Sequence, residues 1–566
     1  MKKLLYPLVF ALTAFLFVYS CSTDEDDAPP PAAIVKKYTL AVTAGEGGTV
    51  STTGGTYSQG TQVSITATPS SGFTFSQWSD GSTTNPITVT LNSNTNLSAS
   101  FKELQIESIE ILNPIESIVI SRKHKFEVEG TYTNGDKKDL TNQVLLEVID
   151  DKVNLLDDNE FTVKKSGQTN LKIKFKDIEV IENFYSSNIE YIQIESDLES
   201  NDNCSNRIPI VIINYFPTSD GVNHDENIGP SGYWDLNYPT VEQSRNKVHS
   251  DLVLTKKTIE YGSRFRDYGT KKIDPYLCLD VVKYINLYEL DPYVKLRSEF
   301  DVNDLDYFKM FERINMKDLV NINGVKEVWI TIFPKSPEYP SVQNNNMDNP
   351  DTYYNLAETN MSSPITGDIS NSFRIPEDLP IYDNTYVVYG YNGHRGVDTN
   401  IHNRGHQIEV QMMWLEQRRN YDNKNQLFWN NFVGINDSDT SPIGRSGMTH
   451  FPPNTNKDYD YCNENLVESD IMNWIPSGGE KEFVNCNTWT KLNYDINFNV
   501  LDIRNNNYSY SNDPHLKWLL YWFQSIPGLD NNIPYTKNDT NYTLTNWWDL
   551  FYNWDEAITN DKTLWE

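Results

Sequence analysis

The sequence predicts a multidomain protein in which two small all-β modules precede a large α/β domain with a largely parallel sheet. Its 566 residues are enough for about three or four domains of ordinary size. Residues 38–185 alternate apolar and polar positions between turn residues, as strands with one buried face do. Beyond residue 205, continuous apolar runs are separated by helical periodicities, which is typical of buried parallel strands joined by helices.

The N-terminal segment predicts export and a lipid anchor. Residues 1–20 place two lysines before an apolar stretch and are expected to be a signal peptide. The four residues before Cys21, Phe-Val-Tyr-Ser, resemble a bacterial lipobox, which implies lipidation of Cys21. Residues 21–37 form an acidic, proline-containing tether that resembles the surface-export signal of Bacteroidota lipoproteins. We therefore expect a protein attached to the outer membrane through its lipid alone and exposed at the cell surface.

The composition favours an extracellular partner. The formal net charge is −31, which argues against nucleic acid because phosphate binding requires a basic surface. The chain has 34 Tyr and 13 Trp, and its second half is rich in Asn. Such residues suit a glycan, since rings stack on sugars and amides bind hydroxyls, but they suit large aromatic cores equally well. The expected partner is an extracellular glycan or protein.

The cysteines predict two disulfides. Besides Cys21 the chain has four, which is an even number in an exported protein. Three pairings are possible, and proximity in the sequence favours Cys204–Cys278 and Cys462–Cys486. No pair has the CxxC spacing, which argues against a thiolate zinc site.

Residues 38–102 predict the first β module. Residues 62–67 and 87–91 alternate strictly, and glycine turns separate the strands. The order of a glycine turn, an alternating strand, a Gly-Phe-x-Phe-x-x-Trp segment at 72–78 and an Asp-Gly turn resembles a divergent InlB B-repeat. The resemblance implies a small unit of spacing or adhesion, with its aromatic residues in the core.

Residues 104–185 predict the second β module. Residues 106–111 and 125–132 alternate, and Asn134-Gly135 is a strong hairpin signal. The turns at 139–141 and 164–169 resemble those of bacterial Ig-like group 2 domains. This resemblance implies a seven-stranded sandwich that acts as a spacer, with adhesion as an alternative.

Residues 205–566 predict the α/β domain. In such domains ligands gather beyond the carboxyl ends of the strands, here residues 217–221, 334–335 and 392–396. Asp220, His394 and Arg395 therefore become candidate site residues. A helix is expected over residues 240–259, and buried strands over residues 207–216, 277–282, 325–333 and 386–391.

Histidines concentrate in one part of this domain. Four of the eight in the chain, His394, His402, His406 and His450, lie within 57 residues of one another. In a helix predicted over residues 404–415, the three-residue spacing places His406 and Glu409 on one face, where they can share a metal. His450, in a turn-rich segment, is the candidate third ligand. The expected metal is zinc, with one coordination position left for water.

Two other interpretations of these residues remain open. Glu409 can orient His406 as a general base, with Asp220 or Asp225 as the acid, in glycosidase-like or esterase-like chemistry. Alternatively, the pair only holds the helix to a loop. The sequence contains no GxSxG elbow, Walker loop, HExxH or dinucleotide fingerprint.

Oxygen ligands are concentrated just after His450. Asp458 and Asp460 stand at alternate positions and, together with Asn454, can hold calcium, which prefers hard oxygen donors. The alternative is that these side chains cap turns.

The domain resembles a large, poorly characterised group of secreted bacterial proteins. The resemblance implies a shared site and no particular substrate. It rests on the segments at 325–329, 391–396, 405–409, 449–454, 458–461, 485–489 and 546–548.

Two functions therefore follow from the sequence. The first is a surface hydrolase of an extracellular polymer, glycan or peptide, carried on two β spacers. The second is a non-catalytic adhesin or glycan-binding lipoprotein.

Overall fold

The computed structural model describes most of the chain. The predicted signal peptide, Cys21 and Asp225 lie outside the described residues. Contacts divide the chain into two units, Met1–Ser108 with Gly130–Lys138 and Ile109–Glu129 with Asp139–Glu566. Among the described helices, none has both the length and the apolar composition needed to cross a membrane. The described residues are 35–199, 204–224, 240–265, 274–294, 303–333, 354–355, 359–371, 378–418, 426–435, 444–502 and 505–566.

The first module is built from short strands around one tryptophan. Trp78 is fully buried and donates its indole N–H to the main-chain oxygen of Thr84, at 3.0 Å. It packs with Leu40, Val42 and Ile65 in one core, as predicted for the aromatic segment. The main sheet has the order β3-β1-β8-β6. The strands are β1 (Lys37–Ala44), β2 (Gly48–Val50), β3 (Gly54–Ser58), β4 (Gln62–Ile65), β5 (Ala67–Pro69), β6 (Phe73–Trp78), β7 (Ile87–Thr90) and β8 (Thr95–Glu103).

The next segment is also entirely β-structure apart from one 3₁₀ turn at Asp157–Asn159. Phe161 lies at its centre, stacked on Phe126 with ring centroids 5.1 Å apart and in contact with Phe184 at 6.0 Å. Two of its sheets have the orders β10-β18-β17-β14 and β11-β16-β15. The strands are β9 (Ile106–Ile111), β10 (Ser117–Val119), β11 (His124–Lys125), β12 (Val128–Tyr132), β13 (Lys137–Asp139), β14 (Leu145–Val148), β15 (Val153–Leu155), β16 (Glu160–Val163), β17 (Gly167–Phe175), β18 (Ile178–Ser187) and β19 (Ile189–Tyr191).

The α/β domain has a six-stranded sheet of order β19-β21-β20-β24-β27-β26. Its four central strands are parallel, while β19 and β26 pair antiparallel at the two edges. The sheet predicted as largely parallel is parallel at its centre and mixed overall, because both edge strands are antiparallel. The strands after β19 are β20 (Asn206–Tyr215), β21 (Leu277–Leu287), β22 (Tyr293–Val294), β23 (Asn303–Leu305), β24 (Glu327–Ile332), β25 (Tyr354–Asn355), β26 (Thr359–Ser362), β27 (Tyr386–Asn392), β28 (Val467–Ser469), β29 (Glu482–Val484), β30 (Asn499–Leu501), β31 (Asn507–Ser509), β32 (Pro534–Lys537) and β33 (Thr540–Thr543).

Helices cover both faces of this sheet. The predicted helix at 240–259 is α1, and a capping box formed by Thr240 and Gln243 fixes its start. Apolar residues of α1 and α4 pack in the core on one face, and those of α2 and α3 in the core on the other. The helices are α1 (Val241–Gly262), α2 (Tyr307–Ile314), α3 (Met316–Asn321), α4 (Val397–Arg418), α5 (Cys486–Thr490), α6 (Pro514–Phe523), α7 (Trp547–Tyr552) and α8 (Trp554–Thr559), with a π-helical turn at Leu427–Val433.

The strand β19 joins the second β segment to this domain. It follows β18 directly and pairs with β21, so the chain passes into the large sheet well before residue 205, where the sequence predicted the domain to begin. The turn at Asp220–Gly221 makes a further contact. Asn154 donates to the main-chain oxygen of Asp220 at 2.9 Å, and a Cβ on Gly221 would lie 2.4 Å from the oxygen of Val163.

Candidate metal centre

The helix α4 carries the histidines, and a buried ion pair fixes its rotation about its axis. Arg404 donates to both carboxylate oxygens of Glu327, the first residue of β24, at 2.6 Å each. Both side chains are buried. Removing one member of such a pair costs roughly 3–5 kcal/mol, because the other is left as an unpaired buried charge. The pair keeps one side of α4 on the sheet and leaves the stripe of His402, His406 and Glu409 facing away from it.

The loop that contains Thr449 and His450 contacts α4 at Gly405. A Cβ on Gly405 would lie 2.4 Å from Oγ1 of Thr449, closer than real contacts allow. The main-chain N–H of Thr449 donates to Oε1 of Glu409 at 2.8 Å. The absence of a side chain at position 405 therefore lets the loop rest on the helix, and the next residue of the loop, His450, is placed beside the histidines of α4.

Three imidazole nitrogens converge at this point. Nε2 of His406 lies 2.9 Å from Nε2 of His402 and 3.0 Å from Nε2 of His450, and the last two are 3.0 Å apart. His402 and His406 are one helical turn apart on α4, while His450 comes from the loop. We call these three residues the histidine triangle. Their geometry is that of a group that could hold a metal ion, and it is the group of this kind found among the described residues.

Two members of the triangle have a carboxylate on the opposite ring nitrogen. Nδ1 of His406 lies 2.9 Å from Oε2 of Glu409, and Nδ1 of His450 lies 2.9 Å from Oδ1 of Asp458. Burial opposes ionisation of Glu409, but the hydrogen bonds from His406 and Thr449 outweigh it and lower its pKa. A carboxylate only accepts, so each Nδ1 carries the proton and each Nε2 presents its lone pair to the centre of the triangle.

In the third member of the triangle, His402, the ring nitrogen that points away from the centre faces another histidine instead of a carboxylate. Nδ1 of His402 lies 3.0 Å from Nε2 of His515, in the first turn of α6, and Nδ1 of His515 lies 3.2 Å from Oδ2 of Asp398. The ring of Tyr461 stacks on His515 at 4.1 Å with an interplanar angle of 7°. Burial and the neighbouring imidazoles lower the pKa of His402, so its ring is neutral.

The geometry and the donor set fit a divalent transition metal. Tetrahedral zinc with bonds of about 2.0–2.1 Å holds its ligand nitrogens about 3.3 Å apart, so the triangle would open by only a few tenths of an ångström. Neutral imidazoles suit zinc, copper, iron and nickel. Carboxylates lie behind His406, His450 and His515, and their negative charge would favour a bound dication.

A tyrosine lies over one side of the triangle. The ring of Tyr459 is 4.4 Å from that of His450 and 5.7 Å from that of His402, and the residue is 56% exposed. Its φ of 59° is in the left-handed region, which a residue of this size rarely adopts. The side chain of His450 is 22% exposed, whereas His402 and His406 are buried, so His450 is the member of the triangle that contacts solvent.

The structure places the predicted ligands differently in one respect. His406 and His450 belong to the triangle as expected, but Glu409 binds the far nitrogen of His406, and His402 takes the position assigned to Glu409. The sequence contains a signal for His402, because histidines four residues apart share a helix face. That signal was hidden because the predicted helix began at residue 404, after His402.

Asp220 serves the turn after β20. Its Oδ1 accepts the main-chain N–H groups of Val222 and Asn223 at 2.8 and 2.7 Å. Burial raises its pKa, but these bonds outweigh the effect and the pKa is lowered. A general acid needs the opposite shift, so the structure does not support that role.

His394 lies apart from the triangle, whereas Arg395 lies close enough for its charge to contribute to lowering the pKa of His402. The ring of His394 packs edge-on against Phe333 at 5.3 Å, and burial lowers its pKa to about 4. The main-chain oxygen of Arg395 accepts from Nζ of Lys247 at 2.6 Å. These contacts hold the strand end against α1.

One predicted disulfide is present and the other is not formed. Cys204 and Cys278 are bonded, which confirms that pairing. Cys462 and Cys486 are free thiols with their Sγ atoms 3.5 Å apart. The second pair is adjacent, as predicted, but reduced.

The residues considered for calcium make separate contacts. Asp458 binds His450, and Asn454 donates to the main-chain oxygens of Asn463 and Asn465 at 2.7 and 2.9 Å. Oδ2 of Asp460 accepts from Thr455 at 3.2 Å and from Asn463 at 2.8 Å. This arrangement favours turn stabilisation, and calcium binding stays a prediction.

Comparison with known proteins identifies one module. A family model described as the divergent InlB B-repeat domain matches residues 38–105, which confirms the predicted first module. No curated protein matches the chain. The Ig-like assignment of residues 104–185 stays a prediction.

Matches to solved structures are weak. Domains 4 and 5 of the S-layer protein SbsC align with 16% identity over 21% of this chain and 82% of that chain, with a TM-score of 0.15. Domains 4–9 of the same protein align with 15% identity over 29% of this chain and 23% of that one, also at 0.15. Immunoglobulin domains 1–5 of Sidekick-1 align with 10% identity over 32% of this chain and 42% of that chain, with a TM-score of 0.13. TM-scores this low establish no shared fold. The chain thus has a segment that matches the divergent InlB B-repeat model, at residues 38–105, and a mixed α/β domain that contains the histidine triangle.

Proposed function

We propose that the C-terminal domain is a metal-dependent hydrolase that acts on an extracellular polymer, glycan or peptide. The observation that carries this proposal is the approach of three Nε2 atoms to within 3.0 Å of one another. Lone pairs at this distance repel unless a proton or a metal cation lies between them. The carboxylates behind His406 and His450 favour the proton on Nδ1 of each ring, which leaves the Nε2 lone pairs free to bind a metal.

Three histidine ligands are the donor set of catalytic rather than structural zinc sites. Structural sites are usually closed by four protein ligands, whereas catalytic ones keep a position for water, whose pKa the metal lowers to about 7. Glu409 and Asp458 orient two of the ligand rings. Tyr459, exposed beside the triangle, is placed to contact a substrate that approaches from solvent.

We further propose that the domain is displayed outside the cell. The signal-like residues 1–20, the lipobox-like sequence before Cys21 and the InlB B-repeat at 38–105 support this location. Attachment would be through lipid at Cys21, and the partner an extracellular glycan or protein. In such an arrangement the β modules act as spacers between membrane and substrate.

The alternative is a non-catalytic adhesin or glycan-binding lipoprotein. The B-repeat match is equally compatible with it, because the match lies outside the α/β domain. In that case the metal would only fasten the loop of His450 to α4.

Metal binding is the first test. The full chain, purified and reloaded with zinc, is analysed for metal beside the variants His402→Ala, His406→Ala and His450→Ala. We expect one equivalent of zinc in the parent and a loss in each variant. His249→Ala is the control. His249 lies on α1, away from the triangle, and pairs with Asp197 at 3.2 Å. Absence of zinc from the parent protein would refute the proposal.

Activity is the second test. The same proteins are assayed against polysaccharide and peptide panels. Hydrolysis that is lost in the three triangle variants and retained in His249→Ala supports the enzyme. Zinc binding without turnover on any substrate, together with zinc-dependent ligand binding, supports the adhesin instead.

A further inference from the structure

His402 is the ligand of the triangle that lacks a direct carboxylate partner among the described residues. Its Nδ1 faces Nε2 of His515 at 3.0 Å, and Nδ1 of His515 faces Asp398 at 3.2 Å. These three residues form a chain of hydrogen bonds that runs from the triangle to the first turn of α4. We call His515 and Asp398 the relay pair.

We propose that the relay pair are positioning residues of the metal centre, which fix the proton on Nδ1 of His402 and thereby direct its Nε2 lone pair at the ion. The inference rests on the metal centre proposed above and adds two residues to it. Neither would touch the ion or the substrate.

The ionised state of Asp398 determines the position of each proton along the hydrogen bonds from Asp398 through His515 to His402. An ionised carboxylate at Asp398 only accepts, so in the arrangement that we propose the single ring proton of His515 lies on Nδ1. Nε2 of His515 is then bare and accepts from His402, whose proton must lie on Nδ1. A neutral imidazole carries a single ring proton, so Nε2 of His402 is free to bind metal. If Asp398 donated to Nδ1 of His515, the proton of His515 would lie on Nε2 and be donated to Nδ1 of His402. The proton of His402 would then lie on its Nε2 and block metal binding there.

The surroundings hold the pair in this arrangement. Burial raises the pKa of Asp398, but the hydrogen bond from His515 and main-chain N–H groups at the start of α4 outweigh it, so the carboxyl is ionised. His515 is the second residue of α6, whose start is capped by Asp513. The parallel ring of Tyr461, at 4.1 Å, fixes the plane of His515. Both residues therefore lie on the rigid first turns of helices.

A purely structural role is the competing explanation. The relay pair also connects α4 to α6, and a variant that loosened this contact would lower stability whether or not metal was bound. The two roles differ in what they predict for the metal-free protein, because a positioning role changes zinc affinity at unchanged stability of the zinc-free chain.

The test measures zinc affinity of the full chain by competition with a chromogenic chelator. In Asp398→Asn the amide N–H can donate to His515 and reverse the chain of protons, so we expect the affinity to fall by roughly 10–100-fold, the range for second-sphere partners. Asp197→Asn is the matched control, because Asp197 pairs with His249 at the same 3.2 Å away from the triangle. We expect its zinc affinity to equal that of the parent.

Variants at His515 and Tyr461 separate positioning from packing. His515→Ala removes the acceptor and is expected to lose affinity like Asp398→Asn, whereas the side-chain carbonyl of His515→Gln can accept from His402 and should restore it. Tyr461→Phe keeps the stacked ring, and its lost hydroxyl lies 3.5 Å from Nδ1 of His402, so affinity should not change. The electronic spectrum of the cobalt-substituted protein should shift in Asp398→Asn and His515→Ala only.

The outcomes distinguish this inference from the proposed function. If the parent binds zinc while Asp398→Asn and His515→Ala bind it equally well with unchanged cobalt spectra, the inference is overturned and the metal centre stands. A fall in the melting temperature of the zinc-free variants that accounts for the lost affinity also overturns it, in favour of the structural role. If the parent binds no zinc, both proposals fail together.

Discussion

At Gly405 a helix and a loop lie closer than any other residue type would allow. Alanine at this position would favour the helix by about 1 kcal/mol from propensity alone. Its Cβ would, however, meet Oγ1 and Cγ2 of Thr449 at 2.4 and 3.0 Å, and these belong to the loop that carries His450. The loop must therefore move, and with it the third ligand.

We expect Gly405→Ala to weaken zinc binding by about tenfold or more while α4 stays intact, because overpacking of this kind costs roughly 1–3 kcal/mol. Competition titration measures the affinity, and circular dichroism the helix content. The double variant Gly405→Ala/Thr449→Ala removes the clash and should recover most of the loss, with Thr449→Ala alone as its control. An unchanged affinity in Gly405→Ala would show that the loop adapts without moving His450.

The buried carboxyl group of Glu416, which is not part of the histidine triangle, should make the stability of the fold depend on pH. The side chain is fully buried near the end of α4 and accepts the main-chain N–H of Phe428 at 2.8 Å. Burial raises its pKa to about 7, against an ordinary value of 4.5. The unfolded chain therefore releases this proton at lower pH than the folded one, so the contribution of Glu416 to stability falls as pH rises from about 4.5 to about 7.

The expected loss of unfolding free energy is roughly 3 kcal/mol, because the pKa of Glu416 is raised by about 2.5 and each pKa unit corresponds to about 1.36 kcal/mol. Glu416→Gln keeps an acceptor for Phe428 but does not ionise. Between pH 5 and pH 8 the free energy of unfolding should therefore fall by roughly 3 kcal/mol more in the parent than in the variant. Urea denaturation at the two pH values measures it, and parallel pH profiles for the two proteins would contradict the assignment.

Among elements, α4 shows where sequence information was sufficient and where it was not. Residues 404–415 were predicted as helix, and α4 extends from Val397 to Arg418. Its first turns contain Asp398, Asn400, His402 and Asn403, which have low intrinsic helix propensity, so they resemble a loop in the sequence. Packing of α4 against β27, α1 and α6 overrides that preference, as tertiary contacts commonly do.

The error in that boundary explains what was missed at the site. His406, Glu409 and His450 were found because residue type and short-range spacing reveal them. His402 needed the correct start of the helix, and the relay pair needed the contact of α4 with α6, which joins residues 117 positions apart. The strand runs of β20, β21, β24 and β27 were predictable because both faces are buried, whereas the antiparallel edges β19 and β26 depend on pairing that no local pattern encodes.

The segment between Cys462 and Cys486 predicts a response to oxidation. Their Sγ atoms lie 3.5 Å apart, and closing the bond to about 2.05 Å requires only a small shift. A closed loop of this length stabilises by roughly 3 kcal/mol in the chain-entropy treatment. Treatment with a disulfide oxidant should therefore raise the denaturation midpoint of the parent.

The control for this experiment is Cys462→Ser/Cys486→Ser, which should not respond to the oxidant. Alkylation followed by mass spectrometry reports whether the thiols are consumed. Bond formation without a gain in stability would indicate that closing it strains the segment.

For the whole molecule, the two units predict separate effects of the metal. All three histidines of the triangle lie in the unit that begins at Ile109, and the B-repeat match lies in the other. A ligand stabilises only the unit to which it binds, by about 2.7 kcal/mol at a free concentration 100 times its dissociation constant. Calorimetry with zinc and then with a chelator should therefore shift the transition of the larger unit only. Equal shifts in both transitions would mean that zinc binds elsewhere as well.

The pairing of β19 with β21 also determines how the large domain responds to mechanical force. Tension applied to the chain from its N-terminal side reaches this domain through β18 and β19, so the edge of the sheet is loaded first. Glu190 on β19 accepts hydrogen bonds from Asn286 on β21 at 3.2 Å and from Tyr288 at 2.5 Å, and these bonds resist that load. If β19 peels away, the Cys204–Cys278 bond still ties the start of β20 to β21 and prevents the residues between them from extending. The edge strand can thus yield under drag or shear while the parallel strands that support α4 keep their order.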